Sequence, residues 1–382
     1  MLTDDRHALI LRELQHRGSL NVSELAARIG VSGMTLRRDL AALEDQGSLQ
    51  RVHGGAVSVA AATVEGNSQH HGGPGGALQQ QRARGRGRTG PGVRTPIATI
   101  GMVVPSASYY FPSVIRGAEA AARDLGVRLV LAISNYSQTE EQRQIERLLA
   151  NGVDGLLVTP SGESLANGNT LKALSLANVP VVIAERPIDD VLDDVALESV
   201  RSDHVRGAEI AINHLIGLGH QDIGLCVRQS SPTAVRVLKG YRLALERAGM
   251  EHRDSSARFI TVDRDQPEAL REQIEELVDW VAVSKFTAML VLNDEDALTF
   301  VDCCHERGIS IPGDLAVVAY DDEIASMGAV PLTAVAPPKF DVGYQALQMC
   351  LNRIGPHFGN ATALQQVSLS PSLMVRESSA PQ

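Results

Sequence analysis

The chain has 382 residues, of which 44% are hydrophobic and 21% charged, and its formal net charge is −10. A chain of this length can bury more than one hydrophobic core, so we expect a small domain and a larger one. No apolar run is long enough to span a membrane, and the amphipathic N-terminus lacks the small-residue cleavage site of a signal peptide. We therefore predict a cytoplasmic protein with no membrane partner.

The charge is distributed unevenly along the chain. Residues 1–96 carry twelve Lys and Arg residues against eight Asp and Glu residues, a net charge of +4, so the remaining residues carry −14. This asymmetry suits a DNA-binding domain attached to an acidic body, which phosphate would repel.

The four cysteines are Cys226, Cys303, Cys304 and Cys350, and their spacing matches neither a C-x-x-C motif nor a Cys/His metal site. No secretory context would oxidise them. We predict that they are reduced core residues, and we expect neither a metal site nor a cofactor.

The first predicted elements are a helix near residues 4–17 and then, over residues 21–56, a short helix, a tight turn, a second helix and a hairpin. In the second helix Leu36, Leu40 and Leu43 recur at i, i+4 and i+7. This spacing predicts that the three leucines form the buried face of the helix.

Two adjacent arginines, Arg37 and Arg38, lie on the opposite side of this second helix. Guanidinium groups in the N-terminal half of such a helix match the docking geometry of a recognition helix, in which arginine reads guanine edges or binds phosphates. The alternative is a solvated face on which Arg38 pairs with a neighbouring carboxylate. The segment that follows, SLQRVHGGAVSV, predicts a hairpin turning through Gly54 and Gly55 and favours DNA binding.

The run GVSGMTLRRDLAALEDQGSLQRVHGGA resembles the helix-turn-helix signature of the DeoR family of bacterial regulators. The resemblance covers roughly the first 60 residues and implies a winged helix-turn-helix domain at residues 1–59. It also implies a set of residues that contact double-stranded operator DNA: Ser32, Thr35, Arg37, Arg38, Arg51 and His53. Gly33 and Met34 depart from the commonest residues of the family, which leaves the operator sequence open.

Residues 60–96 are rich in Gly, Gln and Arg and have no apolar face to bury. We expect this segment to be a disordered linker, because it cannot offset the entropy of ordering its backbone. The run RARGRGR, Arg82 to Arg88, either touches DNA phosphates without sequence preference or is simply solvated.

From Ile97 onward, β-rich apolar runs alternate with helical segments. Continuously apolar strands are covered on both faces, and this alternation predicts α/β architecture with doubly wound parallel sheets. About 285 residues are too many for one such sheet, so two similar lobes with a cleft between them are expected. Strands are predicted near residues 97–104, 127–133, 153–159, 179–184, 223–227, 287–292 and 315–320, and helices near residues 113–125, 139–151, 204–218, 233–248, 294–307 and 340–354.

The same region is similar to the effector domain of the LacI/GalR family. The runs RLLANGVDGLLVTP, SDHVRGAEIAINHLIGLGHQDIGLC, VLNDEDAL and ERGISIPGDLAVVAYDD occur in family order, and the similarity covers nearly all of residues 97–379. It implies a two-lobed periplasmic-binding-protein-like fold with three crossovers between the lobes. It also implies a small ligand held between the lobes and a homodimer that binds two half-sites of operator DNA.

Three consecutive aromatic residues, Tyr109, Tyr110 and Phe111, follow the first strand of this region. Ligands of open α/β sheets bind beyond the carboxyl ends of strands, so these residues are expected at the mouth of a cleft. Family members use aromatics here to stack on a sugar or a base. The alternative is a hydrophobic cluster that caps the following helix.

The family resemblance also implies four polar residues that contact the ligand: Asp203, Arg236, Asn293 and Asp321. Carboxylates accept hydrogen bonds from vicinal hydroxyls, and guanidinium and amide groups donate them, so the set suits a carbohydrate. Asp203 and Asp321 can each also be interpreted as a helix or turn cap.

Two further residues were considered for this cleft. Arg186 is a weaker candidate, whose alternative role is a salt bridge between domains. His204 stands where the family commonly has Asn, which puts a direct ligand contact there in doubt.

The sequence thus predicts a nucleoid-associated transcriptional regulator, a repressor, whose operator affinity is controlled by a carbohydrate-like effector. Motifs for a catalytic function, such as G-x-S-x-G, a P-loop or H-E-x-x-H, are missing from the sequence, so we do not expect an enzyme. Two alternatives remain: a solute-binding protein, which would need an export signal and no DNA-binding domain, and an enzyme acting on sugar phosphates.

Overall fold

A computed structural model describes most of the chain beyond residue 95 and parts of the first 58 residues. The described residues are 7, 10, 19–21, 25, 31, 33–45, 49–52, 55–58, 96–162, 165, 168–188, 197–250, 256–354 and 363–379. The chain divides into two compact units, Met1–Thr89 and Gly90–Gln382. The predicted linker lies outside the described residues except for Pro96, and the domain boundaries at residues 59 and 96 stay predictions.

The first unit contains a small antiparallel sheet of three strands in the order β1-β3-β2. The predicted hairpin is confirmed, with Val52 paired to Gly55 across its turn. Strand β1 was not predicted, because three residues carry no readable periodicity. The elements described in this unit are β1 (Ser19–Asn21), helix α1 (Gly33–Asp45), β2 (Leu49–Val52) and β3 (Gly55–Ser58).

The leucine face predicted for α1 is confirmed. Leu36, Leu40 and Leu43 are all buried, as are Ile10 and Leu25 elsewhere in this unit. A helix whose apolar side chains repeat at i, i+4 and i+7 buries one stripe and exposes the opposite one.

The second unit contains two six-stranded sheets, each forming one lobe. The first lobe has strand order β14-β8-β7-β6-β4-β5 and is entirely parallel, and the second has order β10-β9-β11-β12-β13-β15, with only β15 antiparallel. The chain passes between the sheets three times, after β8, β13 and β14, as the family resemblance implied. The predicted two-lobed α/β fold is confirmed.

All seven strands and all six helices predicted for this unit are confirmed. The strands are β4 (Thr99–Val104), β5 (Arg128–Ile133), β6 (Gly155–Val158), β7 (Val181–Ala184), β8 (Glu198–Ser202), β9 (Ile223–Arg228), β10 (Ala257–Ile260), β11 (Ala288–Leu292), β12 (Ala316–Tyr320), β13 (Thr333–Ala336), β14 (Gln366–Leu369) and β15 (Ser372–Met374). The helices are α2 (Phe111–Leu125), α3 (Gln138–Ala150), α4 (Asn169–Ser175), α5 (His204–Gly217), α6 (Ala234–Arg247), α7 (Pro267–Ser284), α8 (Asp294–Glu306) and α9 (Lys339–Asn352), with a 3-10 turn at Ala325–Met327.

Hydrophobic cores lie on both faces of each sheet, because helices cover both faces. The four cysteines are free and buried within these cores, as predicted. Among the described helices, none is both long and apolar enough to cross a membrane.

Helices α2 and α9 of the first lobe cross at unusually close range. A Cβ atom added at Gly343 of α9 would clash with the backbone carbonyl oxygen of Val114 in α2. A Cβ atom at Gly117 of α2 would clash with the carbonyl of Phe340 in α9. Glycine is therefore required at both positions so that the two backbones can touch.

Candidate functional site

A cavity of about 640 Å³ lies between the two lobes of the second unit. Its walls are the loops that follow the carboxyl ends of successive parallel strands, which is where open α/β sheets bind ligands. The lining residues are Ser106, Ser108, Tyr109, Tyr110, Phe111, Tyr136, Ser161, Arg186 and His204 from the segments after β4 to β8, and Arg228, Ser230, Ser231, Pro232, Thr233, Asp263, Arg264, Asn293 and Asp321 from β9 to β12. We call this cavity the cleft.

Five of the seven predicted effector residues line the cleft: Tyr109, Tyr110, Phe111, Asn293 and Asp321. Arg186 and His204, the two further residues considered for it, line it as well. The alternative, a hydrophobic cluster that caps the following helix, also holds in part, because Phe111 is buried in the core of the first lobe at the start of α2.

Two predicted residues, Asp203 and Arg236, lie outside the lining. The Asp203 carboxylate accepts a hydrogen bond from the Arg206 N–H at 3.0 Å and so caps α5, the alternative that its position allowed. Arg236 lies on α6 one residue before Val237, which is fully buried. The charge of Arg236 contributes, after burial and the charge of Arg186, to the lowered pKa of His204, so Arg236 lies near the cleft without forming part of its lining.

Tyr109 connects the two lobes across the cleft. Its hydroxyl donates hydrogen bonds to Asp294 at 2.5 Å and to Asp321 at 3.3 Å, both in the second lobe. The other oxygen of Asp294 accepts three backbone N–H groups, from residues 323 to 325. The guanidinium of Arg264 stacks over the Tyr109 ring, 5.4 Å from its centroid. A first-lobe residue is thus held by three groups of the second lobe.

A buried network lies on the other side of the aromatic run. The Glu185 carboxylate accepts hydrogen bonds from the Ser202 N–H at 3.0 Å, from the Ser202 hydroxyl at 2.9 Å and from the Tyr110 hydroxyl at 3.0 Å. Burial raises the pKa of Glu185, and these hydrogen bonds oppose the rise. The network holds Tyr110 against the first lobe.

His204 is buried and neutral. Its Nδ1 lies 3.3 Å from the Tyr320 hydroxyl oxygen. Burial lowers the pKa of His204 to about 3, and the nearby charge of Arg186 adds to that effect. This imidazole carries no charge at neutral pH, and because Nδ1 already has Tyr320 as a partner, only Nε2 is left to contact a ligand.

The three guanidinium groups that line the cleft are in different states. Arg228 donates to Asp296 through Nε at 3.1 Å and Nη2 at 2.7 Å, and Arg264 forms an ion pair with Glu295. Among the described residues, Arg186 donates only to main-chain oxygens, those of Pro160 and Glu185. Arg228 and Arg264 were not among the predicted effector residues. Arg228 directly follows a predicted strand and could have been found by that signal, whereas Arg264 follows β10, which was not predicted.

One group among the described residues could supply metal ligands: Glu275, Cys303 and Glu306. Arg271 lies 3.3 Å from a carboxylate oxygen of Glu275 and 2.6 Å from one of Glu306. These carboxylates are therefore already paired with a cation, and they lie at the far end of α8 from Asn293.

Comparisons with known proteins agree with this arrangement. Residues 6–62 match a DeoR-like helix-turn-helix domain, and residues 212–379 match a periplasmic binding protein-like domain. An arabinose metabolism transcriptional repressor from Geobacillus stearothermophilus is 27% identical over 362 residues, which cover 93% of this chain and 89% of the repressor. The chain therefore resembles a transcriptional repressor over both of its units.

Two solved structures extend the comparison. The complex of the transcriptional regulator CelR with cellobiose is 27% identical, with a TM-score of 0.63, and the match covers 74% of this chain and 85% of that one. A LacI-family regulator from Sanguibacter keddieii is 26% identical, with a TM-score of 0.60, and the match covers 73% and 97% of the two chains.

The chain is a transcriptional regulator that combines a DeoR-like helix-turn-helix domain with a periplasmic binding protein-like domain.

The residues of this regulator that were predicted to contact DNA lie on α1, on β2 and between the described segments. On α1, Arg38 is exposed and Thr35 is half-buried, while Arg37 occupies the position between Leu36 and Arg38. Arg51 belongs to β2. The other two predicted residues, at positions 32 and 53, lie outside the described residues, and the whole set stays a prediction.

The regulator should show a pH-dependent stability that originates at Asp321. Burial raises the pKa of Asp321 to about 7, against the opposing charge of Lys339. Because the group titrates near 4 in an unfolded chain, the folded protein retains a proton between about pH 4 and 7 that the unfolded chain has released. The stabilising contribution of Asp321 is therefore present at low pH and lost as the pH rises through 7.

The side chain that Asp321→Asn introduces cannot ionise, so this variant should not lose stability through titration at this position. We expect its free energy of unfolding, relative to the wild type, to increase as the pH rises from about 4 to 7, by at most about 1.4 kcal/mol per pH unit. Urea unfolding of both proteins across this range measures the difference. A difference that does not change with pH would show that Asp321 does not hold a proton in the folded protein.

Proposed function

We propose that the regulator is a repressor that binds operator DNA through α1 and the β2–β3 hairpin. Its affinity for the operator changes when a carbohydrate-like effector occupies the cleft. The observation that carries the proposal is the lining of the cleft, where Asn293 and Asp321 face an aromatic wall headed by Tyr109. Carboxylate and amide groups beside aromatic rings suit a polyhydroxylated ligand. Relatives named for arabinose and cellobiose support this class of effector.

Regulation requires that the effector bind one arrangement of the lobes better than another, and the coupling cannot exceed that difference in affinity. Tyr109 supplies a structural basis for such a preference, because its hydroxyl joins the lobes through Asp294 and Asp321. An effector hydroxyl that donates to Asp321 would replace part of this connection. We propose further that the regulator acts as a homodimer on two half-sites, which sedimentation velocity with and without operator DNA would test.

We propose no catalytic activity. Of the two alternatives, a solute-binding protein would have no use for a DeoR-like domain. An enzyme acting on sugar phosphates remains testable by a coupled assay on candidate sugars, and turnover there would contradict the proposal.

The effector site can be tested by replacing aspartate with asparagine at two positions, one inside the lining of the cleft and one outside it. Above pH 7, where Asp321 is ionised, Asp321→Asn should weaken sugar binding at least tenfold, because hydrogen bonds to a charged group contribute about 1.5–3 kcal/mol. Asp203→Asn should leave sugar affinity unchanged, because Asp203 lies outside the lining and asparagine also caps helices well.

A thermal-shift assay with arabinose, ribose and cellobiose would identify a ligand, because a ligand that binds only the folded state raises the apparent stability of the protein. Titration calorimetry with that ligand then measures the affinity of each variant. Equal losses of sugar affinity in Asp321→Asn and Asp203→Asn would contradict the placement of the effector in the cleft. Binding of no carbohydrate at all, together with operator affinity that no sugar changes, would overturn the proposed function.

A further inference from the structure

We propose that the effector is a sugar acid, and that Arg186 binds its carboxylate group. The inference rests on the proposed function, because it names the chemical class of the molecule held in the same cleft. It depends on the state of one side chain, Arg186, which follows β7 on the wall of the first lobe.

Arg186 is a buried cation without a carboxylate partner in the described part of the chain. Its side chain lines the cleft and the residue is only 7% exposed. Nε donates to the Pro160 carbonyl at 3.1 Å and Nη1 to the Glu185 carbonyl at 3.1 Å, both main-chain oxygens. Nη2 donates to no described residue. A buried charge is costly unless it is paired, so this guanidinium is suited to an anion that arrives with the ligand.

Nearby carboxylates are engaged elsewhere. Glu185 accepts its three hydrogen bonds from Ser202 and Tyr110. Glu141 accepts from the Ser161 N–H and the Thr170 hydroxyl, each at 2.5 Å. Neither carboxylate forms an ion pair with Arg186. Burial lowers the pKa of Arg186, and the charges of Glu185 and Glu141 oppose that fall. The described part of the protein therefore gives Arg186 favourable nearby charges but no direct counter-ion.

The other two guanidiniums of the cleft provide an internal comparison. Arg228 is paired with Asp296 in a bidentate arrangement, and Arg264 is paired with Glu295. Two of the three cleft arginines are thus neutralised by the protein itself, and Arg186 alone among them is left for a ligand.

Polar groups beside and opposite Arg186 orient the rest of the molecule. Ser161 and Tyr136 line the cleft on the same lobe and can donate to an oxyanion or a hydroxyl. Asn293 and Asp321 belong to the second lobe, where a carboxylate would repel an anionic group and attract hydroxyls. A ligand with a carboxylate at one end and a polyol at the other matches this division.

A carboxylate fits better than a phosphate. The free edge of Arg186 offers Nη2 and one N–H of Nη1, which matches the two oxygens of a single carboxylate. A phosphate dianion would need a second unneutralised cation, and both remaining cleft guanidiniums already have carboxylate partners.

The test compares acids with their neutral parents on the full-length protein. Titration calorimetry with D-galacturonate against D-galactose, D-glucuronate against D-glucose and L-arabinonate against L-arabinose measures the ratio of acid to neutral affinity. For at least one pair we expect the acid to bind at least 30-fold more tightly. Arg186→Gln should reduce that ratio to near one, and Arg186→Lys, which keeps the charge, should restore part of it.

Arg123→Gln is the control for the loss of one positive charge from the same lobe, because Arg123 is exposed on α2 and lies outside the lining of the cleft. Its ratio of acid to neutral affinity should stay within threefold of the wild-type ratio. If Arg186→Gln fails to fold, the wild-type ratios and Arg186→Lys still decide the question.

Several outcomes would overturn the inference. Neutral sugars that bind while no acid binds more tightly would reject it and leave the proposed function standing. Glucose 6-phosphate binding more tightly than glucuronate would reject the carboxylate in favour of a phosphate. Binding of no sugar and no acid would instead reject the proposed function.

Discussion

Replacing Arg38 by alanine should lower operator affinity by roughly 30-fold or more and leave effector binding unchanged. Arg38 is exposed on α1, on the side opposite the buried leucine face, where a recognition helix meets the major groove. Losing a bidentate arginine contact costs about 1–3 kcal/mol, and a dimer on two half-sites would lose two such contacts. Fluorescence anisotropy at constant salt, with the promoter fragment upstream of the regulator's own gene against scrambled DNA, measures the loss.

Arg147→Ala is a suitable control for the loss of one positive charge, because Arg147 is exposed on α3 in the other unit. Its operator affinity should match that of the wild type. An Arg38→Ala protein that still prefers the promoter fragment as strongly as the wild type would contradict the assignment of α1 as the recognition helix. A simultaneous loss of effector binding would indicate misfolding instead.

The second large effect is a loss of stability that we expect when one methyl group is added at Gly343. Gly343→Ala should lower the free energy of unfolding by about 3 kcal/mol or more, although alanine favours helices over glycine by about 1 kcal/mol. The added Cβ would meet the backbone carbonyl of Val114 in α2, and backbone cannot move aside as a flexible side chain can. Urea unfolding followed by circular dichroism measures the change.

Gly217→Ala is the matched control. Gly217 is the last residue of α5 and is also helical, but a Cβ atom there meets no atom within 4 Å. Its stability should stay the same or rise by up to about 1 kcal/mol. If both variants behaved alike, the close contact between α2 and α9 would not limit stability.

The elements that could be predicted are those whose apolar periodicity is strong and local. Buried strands such as β6 and β7 are continuous apolar runs, and β8 was missed because its sequence, ESVRS, is polar. Its Glu198 can be buried only because Arg353 lies 2.8 Å away. That partner is distant in sequence, so no local pattern reveals it. Helix α7 was overlooked although its buried Ile274, Leu277, Val278 and Val281 show helical spacing.

The cleft was predicted in part. Tyr109 and Asn293 could be placed because each lies just beyond the carboxyl end of a predicted strand, and strand ends of parallel sheets converge. Asp203 also follows a strand and, like Asn293, caps the helix that it begins, but its side chain lies outside the lining of the cleft. Arg236 lies on α6 outside the lining, and its contact with the effector stays a prediction.

By itself the sequence determined the two-lobed α/β fold, the buried face of α1 and the order of the DNA-binding and sensor domains. Local periodicity and short signatures encode these features, since they depend on residues only a few positions apart. Only the tertiary structure decided which polar groups meet around the cleft: that Tyr109 reaches Asp294 and Asp321, that Arg228 and Arg264 find carboxylates, and that Arg186 finds none among the described residues. These pairings join residues from different strand ends, and those of Tyr109 join the two lobes, so their geometry exists only once the sheets have folded.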